Sequence, residues 1–310
     1  MKTILLALSI LMAFLGRGRS GEEPVLRADP YIFYENGTYY LYGTYSENGI
    51  AVMVSKDLKT WETPGGGEEW LALDKKDCYG EKWFWAPEVY KVGGRYFMFH
   101  SAEEHVCMAV ADSPLGPFKG DGKPMVEEQG IDNSLFIDDD GTPYMFWVRF
   151  DNGNVIWMAQ LTEDLRHPVP GTERFVLRPE LPWETHITEG PFCIKHKGTY
   201  YLTYSGDDYR SQDYAIGYAT AESLDGKWTK FEGNPIFCRP DGLVGTGHHS
   251  FFKDSRGRNR IVFHSHFSDT AVGPRRTLIS RFKFKKAKAG AQDRLIISPG
   301  WQPLVTAAGH

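Results

Sequence analysis

The sequence predicts an all-β protein folded as a five-bladed β-propeller. Two observations lead to this prediction. A β-hairpin signal, made of a short apolar strand, a polar turn that ends in glycine and a second apolar or aromatic strand, occurs five times along the 310-residue chain. Almost no segment shows the apolar periodicity of a helix. Repeated units of three or four strands around a central channel are typical of a propeller.

The five hairpins recur at similar spacing along the chain. Their turn glycines are 57, 47, 57 and 59 residues apart, and they are Gly37, Gly94, Gly141, Gly198 and Gly257. After each hairpin the chain continues with a further strand of small and apolar residues, such as AVMVS after the first hairpin and CMAVA after the second. Five units of this kind predict five blades.

The N-terminus predicts a signal peptide over residues 1–20. Lys2 precedes an apolar stretch, and Gly18 and Ser20 have the small-x-small spacing of a cleavage site. Because the stretch is short for a membrane span, we expect an exported protein, periplasmic or secreted, without stable membrane insertion; a retained N-terminal anchor is the alternative. Residues 21–310 are predicted to form a single five-bladed propeller domain, and we expect a monomer.

Composition and charge exclude some partners. A net charge of −5 argues against a nucleic-acid partner, because nucleic-acid binders usually present a basic face. The one basic cluster, Arg281–Lys288, alternates basic residues with Phe282 and Phe284 and predicts an edge strand with one wet face. The four cysteines lack metal-binding spacing, and buried free thiols are favoured over disulfides for Cys78, Cys107, Cys193 and Cys238.

Five side chains suited to chemistry or sugar binding begin the first strands of the repeats. They lie nine residues before the turn glycine in units two to five and eight before it in unit one: Asp29, Trp85, Asp132, Glu189 and His248. Because the innermost strands of a propeller line one axis, these residues should meet in one mouth. Three carboxylates held together repel one another, which raises at least one pKa, and glycoside hydrolysis requires such carboxyls. Capping of turns is the alternative role for each carboxylate taken alone.

The ordered motifs ADPYIF, WAPEV, IDNSLF, TEGPF and GTGHHS resemble glycoside hydrolase family 43, over about Asp29 to Lys285. The resemblance implies a five-bladed propeller enzyme that acts on arabinose-, xylose- or galactose-containing glycans and inverts the anomeric configuration. It implies that Asp29 is the general base, Glu189 the general acid and Asp132 a third carboxylate that tunes and orients the acid. An inverting pair of carboxyls should lie about 6.5 to 9.5 Å apart.

The resemblance also implies residues that bind sugar or an ion. His248 matches a histidine below the sugar site that meets a calcium ion or a water. The two alternatives are both kept, because calcium prefers six to eight oxygen ligands. Trp85 is expected to be an aromatic platform for the sugar. Arg276 falls where the family has an arginine near the carboxylates, with Arg275 as the neighbouring alternative. His264 is expected to be structural. No cofactor is required, and a structural calcium in the central channel is the one candidate ion.

These observations lead to one expected function and two alternatives. We expect an inverting glycoside hydrolase that releases terminal α-L-arabinofuranosyl or β-D-xylosyl residues from plant polysaccharides or oligosaccharides. An endo-acting arabinanase or xylanase of the same fold is one alternative. A non-catalytic carbohydrate-binding propeller is the other, and it would be expected to lack Asp29 or Glu189, which are both present.

Overall fold

The computed structural model describes residues 22–288 and 292–307. The predicted signal peptide, residues 1–20, lies outside these described residues. Five successive antiparallel sheets, the blades of a propeller, confirm the predicted fold. In the described part of the chain, no helix is both long and apolar enough to span a membrane. Over the same residues the four cysteines carry free thiols; Cys107 and Cys193 are buried as predicted, whereas Cys78 is half-buried and the prediction of burial is wrong for the exposed Cys238.

The first two blades are formed by the N-terminal third of the chain. Their strands are β1 (Ala28–Glu35), β2 (Thr38–Thr44), β3 (Gly49–Ser55), β4 (Thr60–Trp61), β5 (Leu71–Asp74), β6 (Trp85–Val92), β7 (Arg95–Ala102) and β8 (His105–Ala111). The first blade has the strand order β1-β2-β3-β5, and the second has the order β6-β7-β8. Each blade therefore begins with its innermost strand and proceeds outward.

The third and fourth blades repeat this order with four strands each. Their strands are β9 (Gly130–Ile137), β10 (Pro143–Phe150), β11 (Asn154–Gln160), β12 (Arg174–Leu177), β13 (Thr188–His196), β14 (Thr199–Gly206), β15 (Ala215–Ala221) and β16 (Thr229–Lys230). Four short 3₁₀ helices lie between strands of the described chain, at Pro64–Gly66, Lys75–Asp77, Pro182–Glu184 and Pro240–Gly242.

The fifth blade has the order β17-β18-β19-β20. Its strands and the two short C-terminal strands are β17 (Gly247–Lys253), β18 (Asn259–Ser265), β19 (Arg276–Lys285), β20 (Arg294–Ile297), β21 (Gln302–Pro303) and β22 (Val305–Thr306). The predicted edge strand at Arg281–Lys288 is wrong in one respect, because β20 pairs with its Phe282–Lys285 part. The predicted wet face is present, since exposed and half-buried side chains alternate there.

The ring closes between the first and fifth blades through both ends of the described chain. Val25 N donates to Leu304 O at 2.9 Å, and Thr277 N donates to Val25 O at 2.9 Å. The N-terminal segment thus bonds to both β19 and the C-terminal segment, which also pair with each other through β21. β22 also pairs in parallel with β4. Trp61 and Leu304 are fully buried in one apolar cluster at this junction, which holds the two blades together.

Each innermost strand contains a β-bulge near its start, and one residue of every bulge is left-handed. The φ angles are 49°, 47°, 59°, 54° and 42° at Asp29, Ala86, Asp132, Gly190 and His248, respectively. The strand register shifts at each of these positions. A left-handed conformation costs a non-glycine residue roughly 1–2 kcal/mol. These five bulge residues are the structurally equivalent positions of the five blades.

In two blades the bulge shows that the residue found by counting back from the turn glycine is not the structurally equivalent one. Trp85 and Glu189 each come one residue before the bulge residue, whereas Asp132 occupies it. The cause is the length of the hairpin turn. Blades one, two and four have two-residue turns with two left-handed residues, as type I′ turns require. Blades three and five have longer turns. In blade three, Asp138 N donates to Thr142 O at 3.0 Å and closes the turn. A longer turn puts the turn glycine one residue farther from the bulge.

The backbone N–H of each bulge residue donates to a side chain of the preceding blade. In blades two, three and five the acceptors are hydroxyl oxygens at 2.8 to 3.0 Å, from Thr44, Ser101 and Ser205. In blade one, Asp29 N donates to His264 Nδ1 at 3.1 Å. In blade four, Gly190 N donates to Asp132 Oδ2 at 3.0 Å. The seams between blades therefore position the start of every inner strand.

Candidate active site

The three predicted carboxylates lie together where the inner strands begin. Asp29, Asp132 and Glu189 are 8%, 7% and 8% exposed, so they form the floor of a pocket rather than its rim. His248 lies among them, with its Nδ1 at 3.4 Å from Asp29 Oδ1 and 3.8 Å from Asp132 Oδ2. Side chains from four blades thus converge, although they are far apart in the sequence.

Asp29 is held as an ionised carboxylate. Thr44 Oγ1 donates to its Oδ2 at 2.6 Å, and Arg275 Nη1 donates to its Oδ1 at 3.1 Å. Burial alone would raise the pKa of Asp29, but the charges of Arg275 and His248 outweigh burial and hold this pKa well below its usual value. A hydrogen bond with His264 acts in the same direction. Asp29 is therefore ready to accept a proton.

Asp132 and Glu189 lie in an environment that favours the protonated form. Burial, with the charge of Asp29 acting in the same direction, raises the pKa of Asp132 to about 7. Burial and repulsion from Asp132 raise the pKa of Glu189 to about 7. Because two neighbouring carboxyls that repel each other titrate as a pair, the pair retains a proton near neutral pH. The pocket therefore contains a carboxyl that can donate a proton.

Two uncharged side chains orient Glu189. Tyr214 OH donates to Oε1 at 2.8 Å, and Asn154 Nδ2 donates to Oε2 at 2.8 Å. Tyr214 is fully buried beneath the pocket, while Asn154 begins β11 of the preceding blade. Since neither group is charged, both hold the carboxyl in place without the strong lowering of pKa that an arginine produces at Asp29.

Gly190 allows the close approach of two inner strands at the site. Its φ is 54°, and a Cβ at this position would lie 3.3 Å from His248 Cγ. Any side chain here would press on the imidazole that contacts Asp29 and Asp132. The glycine of TEGPF therefore leaves the space that His248 needs, and it adopts the left-handed backbone without the cost that the non-glycine bulge residues bear.

The surroundings of His248 fit a calcium ion poorly. The charged groups near its Nδ1 are one oxygen each of Asp29 and Asp132, whereas calcium takes six to eight oxygen ligands. Within residues 22–288 and 292–307, no group of three or more His, Cys, Asp or Glu side chains is arranged to hold a metal ion. A calcium ion at His248 stays a prediction.

Trp85 lies beside the pocket, on the side of Asp29. Its indole is half-buried and stacks on Trp83, with ring centroids 5.7 Å apart and an interplanar angle of 18°. The next residue, Ala86, donates its backbone N–H to Thr44 Oγ1 at 3.0 Å, and Thr44 in turn donates to Asp29. The position is compatible with the predicted sugar platform.

The arginine that contacts a carboxylate is Arg275, so the prediction of Arg276 is wrong by one residue. Arg276 begins β19, and its Nε donates to His266 O at 3.1 Å. Arg275 precedes the strand, and its guanidinium reaches Asp29. Because neighbouring residues at a strand start project in different directions, only one of the two arginines can reach the pocket.

Several residues that contact the carboxylates do not follow from the repeat count. They lie on second or third strands, or on the loops beside them, and comprise Thr44, Asn154, Tyr214 and His264. His264, which is expected from the sequence to be structural, accepts the main-chain N–H of Asp29. Burial, with Arg275 acting in the same direction, lowers the pKa of His264 to about 3, so its ring is neutral.

Glu88 is a fourth carboxyl near the site, inside the WAPEV motif. Burial, with the charge of Asp132 acting in the same direction, raises the pKa of Glu88 to about 8. Its Oε2 contacts the hydroxyl of Tyr90, which lies 3.5 Å from Ser134 Oγ. At neutral pH Glu88 is therefore mainly protonated and adds little negative charge to the pocket.

A pocket with one ionised carboxylate and one protonated carboxyl, on a five-bladed propeller, defines a glycoside hydrolase. Residues 22–288 match the sequence pattern of Glycosyl hydrolases family 43, and the chain belongs to this family, which confirms the resemblance.

Known relatives differ in their substrates. The chain is 28% identical over 281 residues to an extracellular exo-α-(1→5)-L-arabinofuranosidase of Streptomyces chartreusis, covering 81% of this chain and 84% of that protein. It is 26% identical over 225 residues to a β-xylosidase of Xylanibacter ruminicola, covering 58% of this chain and 68% of that protein. A crystal structure of an endo-1,4-β-xylanase from Bacteroides thetaiotaomicron VPI-5482 superposes with a TM-score of 0.85 at 39% identity, covering 92% of this chain and 99% of that chain.

Proposed function

We propose that the enzyme is an inverting exo-glycosidase that releases terminal α-L-arabinofuranosyl units, or β-D-xylosyl units, from plant polysaccharides or oligosaccharides. The observation that carries this proposal is the difference in ionisation between two carboxyls of one pocket. Asp29 has a pKa held well below its usual value, whereas Glu189 has a pKa raised to about 7. A base and an acid are thus both in their working states near neutral pH.

In the proposed reaction a single displacement breaks the glycosidic bond. Asp29 accepts a proton from a water molecule as the water oxygen attacks the anomeric carbon. Glu189 gives its proton to the glycosidic oxygen, which leaves as the hydroxyl of the remaining glycan. The anomeric centre inverts because attack and departure occur on opposite faces. Exchange with solvent then removes the proton from Asp29 and returns one to Glu189.

The proposed role of Asp132 is to position and tune the acid. Its Oδ2 binds the backbone N–H of Gly190, which adjoins Glu189, and its charge raises the pKa of Glu189. Trp85 is proposed as a platform for an apolar sugar face. His248 is proposed to contact the bound sugar from its place between Asp29 and Asp132.

The choice of sugar and mode of attack rests on relatives. The exo-acting arabinofuranosidase supports release of terminal arabinose, and the β-xylosidase supports release of xylose. A second candidate is endo-acting cleavage, because the chain is 39% identical to a protein described as an endo-1,4-β-xylanase. A non-catalytic carbohydrate-binding propeller is disfavoured, because both Asp29 and Glu189 are present and differ in ionisation.

We propose that the protein is exported and acts as a monomer. The signal-like segment at residues 1–20 and the extracellular name of the Streptomyces relative support export. Mass analysis of the secreted protein tests this proposal, since a retained anchor would leave residues 1–20 attached. Size-exclusion chromatography with light scattering tests the monomer.

The function is tested by following hydrolysis with NMR. Wild-type protein is incubated with 4-nitrophenyl α-L-arabinofuranoside and β-D-xyloside, and with arabinan, arabinoxylan and xylan oligosaccharides. We expect the first-formed product to have inverted configuration. Replacement of Asp29 by Asn or Glu189 by Gln should lower kcat/KM by about 10²–10⁴-fold. The matched control is Asp112→Asn, because Asp112 has a side chain that is 90% exposed. A product of retained configuration, or full activity of Glu189→Gln on the oligosaccharides, whose leaving group needs a proton, would refute the proposal.

A further inference from the structure

The rim of the pocket carries two exposed tyrosines that the proposed reaction does not use. Tyr45 is 55% exposed and Tyr209 is 42% exposed. They lie on the loops that join the second and third strands of blades one and four. Tyr45 directly follows Thr44, which donates to Asp29, and the backbone carbonyl of Tyr209 lies 2.8 Å from His266 Nε2. Both loops are thus at the end of the propeller where the carboxylates lie.

An arginine stacks on the ring of each tyrosine. Arg27 Cζ is 3.7 Å from the ring centroid of Tyr45, and Arg275 Cζ is 4.8 Å from the ring centroid of Tyr209. Arg275 is the arginine that binds Asp29, while Arg27 is buried two residues before Asp29. The ring of Tyr209 is therefore anchored to the pocket floor through Arg275, and the ring of Tyr45 rests on a buried arginine, although a large part of each residue is in water.

The depth of the carboxylates separates the reacting sugar from the rest of the glycan. Asp29 and Glu189 are each 8% exposed, so the sugar whose bond is cleaved must enter the pocket. Any sugar unit attached to it must then lie at the rim. Exposed aromatic rings held rigidly at such a position are suited to stack on the apolar faces of sugars. Anchoring by arginine lowers the entropy that is lost when a ligand orders them.

We propose that Tyr45 and Tyr209 form a glycan-binding rim that holds the neutral sugar units adjoining the cleaved one. The inference rests on the proposed function and specifies its substrate class: the enzyme acts on oligosaccharides or polysaccharides in preference to glycosides with a small leaving group. In both exo-acting and endo-acting cleavage, the rim would bind the sugar units on the far side of the cleaved bond.

Phe175 offers a matched control for the rim. It is 45% exposed, and Arg178 Cζ lies 5.2 Å from its ring centroid, so it has the exposure and the arginine partner of the rim tyrosines. It lies on β12, the outermost strand of the third blade, away from the inner strands. A general effect of removing an exposed, arginine-stacked ring would therefore appear in Phe175→Ala as well.

The experiment compares two substrates in Tyr45→Ala, Tyr209→Ala, Tyr209→Phe and Phe175→Ala. The ratio of kcat/KM on an arabino- or xylo-oligosaccharide to kcat/KM on the matching 4-nitrophenyl glycoside should fall about tenfold for each alanine variant of the rim. Tyr209→Phe should keep most of the ratio because it keeps the ring, and Phe175→Ala should leave it unchanged. An unchanged ratio in both Tyr45→Ala and Tyr209→Ala would refute the glycan-binding role of the rim. An equal loss on both substrates would show that Tyr209 acts only through Arg275, and it too overturns the rim.

Affinity electrophoresis decides the inference independently of catalysis. In the Glu189→Gln background, soluble arabinan, arabinoxylan or xylan should retard the protein, and the rim alanine variants should lose that retardation while Phe175→Ala keeps it. Retardation that is the same in all variants overturns the rim. If the wild type cleaves none of the substrates, the proposed function fails, and this binding measurement still decides whether Tyr45 and Tyr209 bind glycan.

Discussion

Asp132 Oδ2 accepts a hydrogen bond of 3.0 Å from the backbone N–H of Gly190, the residue that follows Glu189. In the other four blades the equivalent N–H donates to a hydroxyl or imidazole on the second strand of the preceding blade. Only in blade four is the acceptor a carboxylate. One side chain therefore places the main chain of Glu189 and also repels its charge, so that position and acidity are coupled.

Asp132→Asn should move the alkaline limb of the pH profile to lower pH. The amide keeps an oxygen acceptor for Gly190 but removes the charge of Asp132, which after burial is the largest cause of the raised pKa of Glu189, so this pKa falls below about 7. Because Glu189 donates a proton only when protonated, activity is lost as pH rises through its pKa. At pH 7 we expect kcat/KM to fall about tenfold for a decrease of one unit in that pKa. Asp132→Ala should lose further activity at every pH, and an alkaline limb that stays near 7 in Asp132→Asn would contradict the coupling.

Tyr214→Phe should shift the same limb in the opposite direction. The hydroxyl of Tyr214 donates to Glu189 Oε1 at 2.8 Å and stabilises the carboxylate, so its loss raises the pKa of Glu189 further. The measurement is kcat/KM against pH between neutral and mildly alkaline buffers. Tyr201→Phe is the matched control, because Tyr201 is buried and its hydroxyl bonds the backbone of Asp293 rather than a pocket carboxylate. Shifts of equal size in both variants would rule out a local effect on Glu189.

Arg275→Gln should create an acid limb that the wild type lacks in mildly acidic buffers. The charge of Arg275 holds the pKa of Asp29 well below its usual value, so that removing this charge raises the pKa. Asp29 then becomes protonated, and activity is lost, as pH falls through the higher value. Arg276→Gln should keep the wild-type profile, because Arg276 contacts the backbone of His266 instead. If Arg276→Gln changed the acid limb and Arg275→Gln did not, the arginine that acts on Asp29 would be Arg276.

Leu304→Ala should destabilise the whole propeller by about 2–5 kcal/mol in the free energy of unfolding. Leu304 is fully buried against Trp61, where the C-terminal segment joins the first blade to the fifth. Urea denaturation followed by tryptophan fluorescence measures this loss. Ile137→Ala is the control, because Ile137 is 40% exposed and should change stability by less than about 0.5 kcal/mol. Equal effects of the two substitutions would contradict a closing role for the C-terminal segment.

The sequence predicts the blades and the three carboxylates because both depend on local patterns. A glycine turn between apolar strands can be recognised in the sequence, and the propeller fold brings the equivalent strand starts together. The position of Glu189 relative to Asp132 is not visible in this way. Glu189 lies one residue before its bulge, because the two-residue turn at Gly198 brings that glycine one residue closer to the bulge than the longer turn does in the blade of Asp132.

The second half of the site depends on packing between blades. Tyr214 and Asn154 each donate to Glu189, and His264 accepts the backbone N–H of Asp29, through contacts with no regular spacing in the chain. The choice between Arg275 and Arg276 likewise depends on where β19 begins. A single-residue change in that strand start would reverse which guanidinium reaches Asp29, so motif matching alone cannot distinguish the two.

Two of the five left-handed bulge positions around the propeller axis, Ala86 and Gly190, carry no functional side chain. Ala86 already has a φ of 47°, a conformation that aspartate and asparagine tolerate better than alanine does. A new acid, base or ligand could therefore be installed opposite the existing carboxylates without remaking the main chain. In this fold the backbone sets the positions at the starts of the inner strands, and the side chains at these positions determine the chemistry of the enzyme.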